Sequence, residues 1–242
     1  VAQLEAAARR QQDFVGNFTH ELKTPLTSII GYADMLRSSD LPAAERREPA
    51  EYIYREGRRL ESLSLHLLDL LVLEKTECDL QPVQAEHLCA EVEQATGFLA
   101  KKYGVALSVR CQTARILVEP TLVKTLLYNL VDNACKASTT GQKVVLRGRM
   151  KDGRYELSVR DYGRGMAPEE LSRITEPFYM VDKSRARSQG GAGLGLALCK
   201  RIAALHGSPL AFASRPGEGT LAGFAAQLAP EKAGPPHEEV QP

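Results

Sequence analysis

Several residue types and patterns are scarce or missing in this 242-residue sequence. It has no tryptophan and only 6% aromatic residues, and no basic patch is interleaved with aromatics, which argues against a nucleic-acid partner. No stretch reaches the ~20 apolar residues of a membrane-spanning helix. The formal net charge is only +1, with both signs mixed along the chain. What remains, 43% hydrophobic residues, is enough for the core of one large domain or two smaller ones.

Cysteine is present but forms no recognisable metal or disulfide framework. The number is odd, and no two cysteines have C-x-x-C spacing. We therefore expect five free thiols in a reducing compartment. These are Cys78, Cys89, Cys111, Cys135 and Cys199.

The first third of the chain has helical periodicity. Apolar residues recur every seven positions, which predicts one helix over about residues 1–38 and a second from about 43 or 49 to 75. The first stripe consists of Val15, Phe18, Leu22, Leu26, Ile29 and Leu36. Two such helices form a hairpin, and two hairpins would pair into a four-helix bundle, so we expect a homodimer. A monomeric hairpin packed on the following domain is the alternative.

The most unusual stretch of the first helix is Phe18-Thr19-His20-Glu21-Leu22-Lys23-Thr24-Pro25-Leu26-Thr27. His20 and Glu21 lie off the apolar stripe, so both should face solvent. Pro25 cannot donate its backbone hydrogen bond, so the helix should kink just after His20. Taken alone, an exposed histidine on a helix is more often merely solvated.

The remainder alternates short strands and helices, which predicts an α+β sandwich. Expected helices cover 86–103, 120–138 and about 192–206. Expected strands cover 105–110, 115–119, 143–150, 155–160, 210–214 and 220–228, and a disordered tail follows from residue 230.

Polar residues in this second part form two candidate sites. Asn129, Asn133 and Lys136 share one face of a helix, where two amides and an ammonium suit a hydrated Mg²⁺ with phosphates. Asp161 follows a strand and precedes Gly163, Gly165 and Met166; its carboxylate could accept a hydrogen bond from an adenine amino group. A polar helix face and a surface turn are the simpler interpretations of the two patterns.

Two further motifs follow. Glu176-Pro177-Phe178-Tyr179 is an apolar patch that could fix the position of a polar loop. The glycine-rich run Gly191-Ala192-Gly193-Leu194-Gly195-Leu196 opens a helix, where bare N–H groups bind phosphate. No strand directly precedes this run, and it lacks Gly-Lys-Ser or Gly-Lys-Thr, so neither a Rossmann fingerprint nor a P-loop is expected.

The decapeptide resembles the H-box of two-component sensor histidine kinases. The later motifs resemble, in order, the N, G1, F and G2 boxes of their ATP-binding domain, which gyrase, heat-shock chaperone and mismatch-repair ATPases share. The resemblance covers roughly residues 12–228 and implies that His20 accepts the phosphoryl group, that Glu21 assists it, and that Thr24 supports phosphatase activity.

The resemblance also implies roles in the nucleotide site. Asn133 would ligate Mg²⁺, Asn129 and Lys136 would hold phosphates, and Asp161 would read adenine, with Thr220 nearby. The three glycines Gly191, Gly193 and Gly195 would meet the phosphates, beneath a lid of about residues 167–190.

Two positions depart from the commonest family pattern. Ala137 stands where tyrosine is frequent, and Met180 stands where an arginine usually follows Phe-Tyr. That arginine is expected near the terminal phosphate, so we expect Lys183, Arg185 or Arg187 to replace it.

The sequence therefore predicts a protein-histidine kinase that uses ATP and Mg²⁺, and whose partner is a response-regulator receiver domain. The predicted domains are a dimerisation and phosphotransfer hairpin (1–76), a catalytic domain (77–229) and a tail (230–242). The chain begins with Val1, and we expect it to be the cytoplasmic part of a bacterial protein that reaches the membrane only through an upstream segment. The alternative is an ATP-driven conformational ATPase without a phosphoacceptor.

Overall fold

A computed structural model of the chain describes residues 2–38, 41–75, 78–182 and 192–230. Its backbone contacts divide the chain into two units. The first unit comprises residues 1–77, 165–202 and 214–217, and the second comprises 78–164, 203–213 and 218–242. None of the described helices is long and apolar enough to cross a membrane.

Two long helices dominate the first unit, as the heptad pattern predicts. Helix α1 is Ala2–Ser38 and continues through Pro25, and helix α2 is Arg47–Lys75. They pack against each other as a hairpin. The rings of Tyr32 and Tyr52 stack at 4.7 Å between centroids, which joins the two helices near the turn.

The apolar stripe of α1 is only partly covered within the hairpin. Leu22 packs in a core with α2, but Val15 is 55% exposed and Leu26 is 50% exposed. Val15 and Leu26 therefore stay uncovered within a single chain, because two helices cover only one side of each other. Other large apolar side chains on the two helices, such as Ile30, Leu65 and Leu68, are also exposed. A surface with this much exposed apolar area commonly marks an interaction site.

The second unit is built on a seven-stranded sheet with the order β1-β3-β7-β5-β4-β2, and β6 pairs with β7. The strands are β1 (Gln81–Gln84), β2 (Ala106–Cys111), β3 (Arg115–Val118), β4 (Lys143–Lys151), β5 (Arg154–Asp161), β6 (Ala211–Arg215) and β7 (Gly219–Leu228). Only β2 and β4 pair in parallel along this order; the other neighbours are antiparallel. Strand β1 was not predicted, because Val83 is its single strongly apolar residue.

Helices α3 (Ala85–Tyr103) and α4 (Pro120–Ala137) cover one face of this sheet. The core between them contains fully buried side chains from both layers, such as Leu126, Leu127, Leu146 and Leu157. The described residues also contain two shorter helices, which lie mainly in the first unit. They are α5 (Pro168–Leu171), which was not predicted, and α6 (Gly195–Leu205), within the predicted span.

The cysteine prediction is wrong for one pair. Cys89 on α3 and Cys111 on β2 form a disulfide, with their Cα atoms 6.7 Å apart. Sequence spacing could not show this, because the packing of α3 on β2 brings the two positions together. Cys78, Cys135 and Cys199 are free thiols, as predicted.

Candidate active site

His20 lies on α1 with its side chain 71% exposed, as predicted. Its Nδ1 atom is 3.7 Å from Oε1 of Glu21. That distance is too long for a direct hydrogen bond, but it places a carboxylate beside one ring nitrogen. The opposite nitrogen, Nε2, is therefore the better candidate for reaction with a ligand.

Glu21 does not face solvent, which corrects the sequence prediction. It is 6% exposed, and its Oε2 accepts a hydrogen bond of 2.6 Å from Nη2 of Arg59, which is 5% exposed. Glu56 adds a longer contact of 3.6 Å to the same guanidinium. A buried carboxylate needs a partner, and the helix hairpin supplies it from α2. Sequence analysis missed Arg59, since nothing in the Arg58-Arg59 pair marks which residue points inward.

Thr24 lies one turn after His20, on the same helix. Its Oγ1 donates to the His20 carbonyl oxygen at 3.2 Å. Threonine side chains inside helices commonly donate to the carbonyl one turn earlier in this way. The hydroxyl oxygen of Thr24 can still accept a hydrogen bond from another group.

An apolar cluster in the first unit joins the predicted loop motif to the helix hairpin. Phe178, Ala192 and Leu194 are buried with Leu63 of α2. The Phe178 ring lies 5.3 Å from that of Phe14 and 6.4 Å from that of Phe18. The prediction that Phe178 fixes its loop is thus supported, although the sequence did not indicate α1 and α2 as the surface on which it packs.

The backbone conformation at Phe178 and Gly193 explains why position 193 is a glycine. Phe178 has a φ of +67°, unusual for a bulky residue, and its N–H donates to the Gly193 carbonyl at 2.9 Å. Gly193 has a φ of +72°, and a Cβ atom there would lie 2.8 Å from the Phe178 backbone. Both the left-handed conformation and the close approach therefore require glycine.

The other predicted site residues of the first unit are only partly described. Gly165 has a φ of +63°, and the Met166 N–H donates to Ser214 Oγ at 2.9 Å. The guanidinium of Arg173 lies 4.4 Å above the Tyr179 ring. Gly195 and Leu196 open α6. Lys183, Arg185, Arg187 and Gly191 lie outside the described residues.

In the second unit, α4 carries the predicted polar face. Asn129 donates from Nδ2 to the Thr125 carbonyl at 2.9 Å, which turns its amide oxygen outward from the helix backbone. Lys136 pairs with Asp132 at 2.6 Å, an i, i+4 contact that sequence analysis did not single out. Asn133 is half-buried and, among the described residues, its side chain has no hydrogen-bond partner.

Asp161 ends strand β5 and is 4% exposed. Its Oδ1 accepts from the backbone N–H groups of Gly163 at 2.9 Å and Thr220 at 3.2 Å. Burial raises the pKa of this carboxyl above its usual value, and the two backbone donors only partly oppose that shift. Within the described chain no protein group donates to Oδ2, so this oxygen remains for a ligand donor.

The glycines around Asp161 serve packing. A Cβ at Gly163 would collide with the carbonyl of Ala137, at the end of α4, and a Cβ at Gly219 would collide with the carbonyl of Asp161. The two glycines thus let α4, Asp161 and the start of β7 approach closely, and Asp161 and Thr220 come together as predicted.

The donor set of the α4 face fits the predicted cation. Asn133 offers an uncharged amide oxygen, and no group of three or more histidine, cysteine or acidic residues suited to a metal occurs among the described residues. One protein oxygen with several waters and phosphate oxygens is a typical Mg²⁺ environment and a poor one for zinc.

Two family models match the chain. One, described as His Kinase A (phospho-acceptor) domain, matches residues 10–75. The other, described as Histidine kinase-, DNA gyrase B-, and HSP90-like ATPase, matches residues 118–230. Together they cover His20 and all described residues of the predicted nucleotide site.

Curated relatives agree with these matches. The sensor-like histidine kinase SenX3 of Mycolicibacterium smegmatis is 35% identical over 223 residues, which are 90% of this chain and 57% of that protein. The phosphate regulon sensor protein PhoR of Pseudomonas aeruginosa is 32% identical over 234 residues, 95% of this chain and 52% of that protein. The chain thus spans about half the length of these relatives.

Solved structures share the fold. Histidine kinase ThkA, in complex with response regulator protein TrrA, superimposes with a TM-score of 0.74 at 21% identity, over 96% of this chain and 68% of that one. Acinetobacter baumannii histidine kinase AdeS gives a TM-score of 0.71 at 17% identity, over 87% and 98%. ShkA in complex with AMPPNP gives 0.64 at 27% identity, over 90% and 46%.

Proposed function

The chain belongs to the two-component sensor histidine kinase family, and from this premise we propose that it transfers the γ-phosphoryl group of ATP to His20 and then to an aspartate of a response regulator. The observation that carries the proposal is the surroundings of His20. An exposed imidazole stands beside a carboxylate that is itself fixed by a buried arginine.

The proposed chemistry assigns a role to each side of the imidazole. Nε2 attacks the γ-phosphorus, a P–N bond forms, and the bond from the γ-phosphorus to the bridging oxygen breaks, so that ADP leaves with that oxygen. Oε1 of Glu21 faces Nδ1, stabilises the positive charge that develops on the ring, and accepts the Nδ1 proton. Oε2 stays on Arg59, so the buried pair holds the carboxylate in position while its other oxygen acts.

The nucleotide is proposed to bind at the α4 face and Asp161. Oδ2 of Asp161 accepts from the adenine 6-amino group, and Asn129 and Lys136 bind phosphates once Lys136 leaves Asp132. Asn133 would hold Mg²⁺, which neutralises charge on the phosphates. The AMPPNP complex of the relative ShkA supports ATP as the nucleotide.

A homodimer is proposed from the uncovered apolar surface of the hairpin. Ile30 on α1 is 60% exposed, and Leu65 and Leu68 on α2 are each 57% exposed. A second hairpin would bury this surface in a four-helix bundle. The domain limits 1–76, 77–229 and 230–242 and the attachment to a membrane through an upstream segment stay predictions. A response-regulator partner is supported by the complex of ThkA with TrrA.

One experiment tests the proposed reaction. The protein is incubated with γ-labelled ATP and Mg²⁺, and the label is tested for stability in acid and base. Acid-labile, base-stable label that a receiver domain can remove supports a phosphohistidine intermediate. ATP hydrolysis without any protein-bound label would instead indicate the conformational ATPase.

A further inference from the structure

The outer face of the sheet, opposite α3 and α4, contains a cleft that the proposed reaction does not use. Along β4, Val144 and Leu146 are fully buried, whereas Lys143, Val145 and Arg147 are not. Successive residues of a strand point to opposite faces, so these three share the outer face. The residues that bind the nucleotide in our proposal lie on α4 and at the end of β5.

Strand register gathers positive charge on this face. Arg110 of β2 pairs with Arg147 of β4, and Arg160 of β5 pairs with Val145. The cleft has a volume of about 560 Å³, within the range of small-molecule sites. Its charged lining residues are Arg110, Lys143, Arg147, Arg149, Arg160 and Glu156.

Most of this charge is uncompensated. Glu156, the acidic residue among those that line the cleft, pairs with Arg149 at 3.1 Å and lies 3.7 Å from Lys151. Its charge is therefore already balanced by these two basic residues. Within the part of the chain that the structure describes, Arg110, Lys143 and Arg147 have no carboxylate within ion-pair distance. Three cations that share a concave surface without a counter-charge attract an anion.

The spacing of these cations defines what would fit. Arg110 and Arg147 stand on neighbouring strands, ~5 Å apart at the backbone, whereas Lys143 lies four residues along β4 from Arg147, or ~13 Å. Val145 lies between them on β4 and lines the cleft. Leu221, which pairs with Arg160 from β7, and Tyr162, which is 49% exposed, line it farther along the sheet. This combination suits an elongated ligand with anionic groups towards both ends and an apolar or aromatic body.

We propose that this face is a second binding site, for a small organic polyanion of the phosphorylated type, separate from the nucleotide site. Arg110 and Arg147 present guanidinium forks that match phosphate oxygens in a bidentate manner, and Lys143 adds a point charge at the other end. The ligand would cross β4 over Val145.

The test uses tripolyphosphate as the probe, measured by isothermal titration calorimetry in EDTA so that Mg²⁺-dependent binding at α4 is absent. The wild-type chain should bind one equivalent, and more tightly than it binds sulfate at equal ionic strength. The variant Arg110→Gln/Arg147→Gln should weaken binding at least ~10-fold. Both residues are exposed, so circular dichroism should show an unchanged unfolding temperature.

Two control variants make the result specific. Lys101→Gln/Lys102→Gln removes the same charge from the exposed end of α3, and Lys136→Gln removes the cation that would hold phosphates in the proposed nucleotide site. Both variants should bind tripolyphosphate as the wild type does. An equal loss in either control would overturn the proposal, as would equal affinity for sulfate. Failure to bind tripolyphosphate, with Arg110- and Arg147-dependent binding to phosphatidylserine vesicles, would assign the face to a membrane surface and also overturn it.

Discussion

Each unit contains one buried carboxylate near its proposed reactive group, but the two carboxylates have different roles. In the first unit Glu21 is buried so that its neighbour His20 can stay exposed, and Arg59 neutralises the buried charge. In the second unit Asp161 is the group that would meet the nucleotide in our proposal, and among the described residues its carboxylate accepts from backbone N–H groups alone. In the proposed reaction His20 must reach ATP and then the response regulator, so its side chain needs to be exposed. Asp161 would discriminate a base, so its carboxylate needs a fixed position away from water.

Among changes outside His20, the largest expected effect falls on the amide that would hold Mg²⁺. Asn133→Ala should lower the rate of phosphorylation by ~100-fold or more, because charge on the transferring phosphoryl group would lose its counter-ion. The rate is measured with labelled ATP under saturating nucleotide. Tyr128→Phe, an exposed change on the same helix, serves as the control. A wild-type rate in Asn133→Ala would remove this residue from the site.

The buried pair of the first unit should be the more fragile structural element. Arg59→Ala removes the buried guanidinium that donates to the Glu21 carboxylate, which should cost about 3–5 kcal/mol in the free energy of unfolding, measured by urea denaturation. The neighbouring change Arg58→Ala is a matched control, because Arg58 and Glu61 form an exposed pair that should contribute no more than ~0.5 kcal/mol. Equal losses in both variants would mean that burial does not set the strength of the Glu21 contact.

In the second unit a single-atom change should alter base recognition. Asp161→Asn keeps an oxygen for Gly163 and Thr220 but can turn an NH₂ donor towards the base. ATP affinity should fall by about 1.5–3 kcal/mol, roughly 10- to 150-fold, whereas ITP, with an oxygen at position 6, should lose less affinity or gain some. Calorimetry with both nucleotides measures the ratio, and an unchanged preference for ATP would contradict the assignment.

The same carboxyl predicts a pH dependence. Because the pKa of Asp161 is raised, protonation begins at a higher pH than for an ordinary aspartate. A protonated Oδ2 no longer accepts from the amino group, so ATP affinity should weaken as the pH falls through this raised value, and Asp161→Asn should remove that dependence. Identical acid-side profiles for the two proteins would show that another group controls binding.

The smallest expected effect concerns dephosphorylation of the response regulator. Thr24→Ala removes a hydroxyl one turn from His20 and should reduce phosphatase activity about tenfold, with little change in autophosphorylation. Its present contact, to the His20 carbonyl, is a weak local one. The two activities are measured on the same preparation, and a parallel loss of both would assign Thr24 a structural role in α1.

Sequence reasoning succeeded where local pattern decides the outcome. Heptads predicted α1 and α2, and helical spacing placed Asn129, Asn133 and Lys136 together. It failed where tertiary packing decides. The inward turn of Glu21 and the disulfide of Cys89 with Cys111 depend on which neighbouring element lies opposite, and no local period contains that information. The packing of Phe178 on α1 is of the same kind.

The central claim is that the phosphoryl group resides on His20, and labelling of His20→Gln tests it most directly. The chain is incubated with γ-labelled ATP and Mg²⁺, with His66→Gln, a change at the half-buried histidine of α2, as the matched control. We predict no label on His20→Gln, ATP affinity within ~2-fold of wild type, and normal label on His66→Gln. Label that persists on His20→Gln would contradict the account.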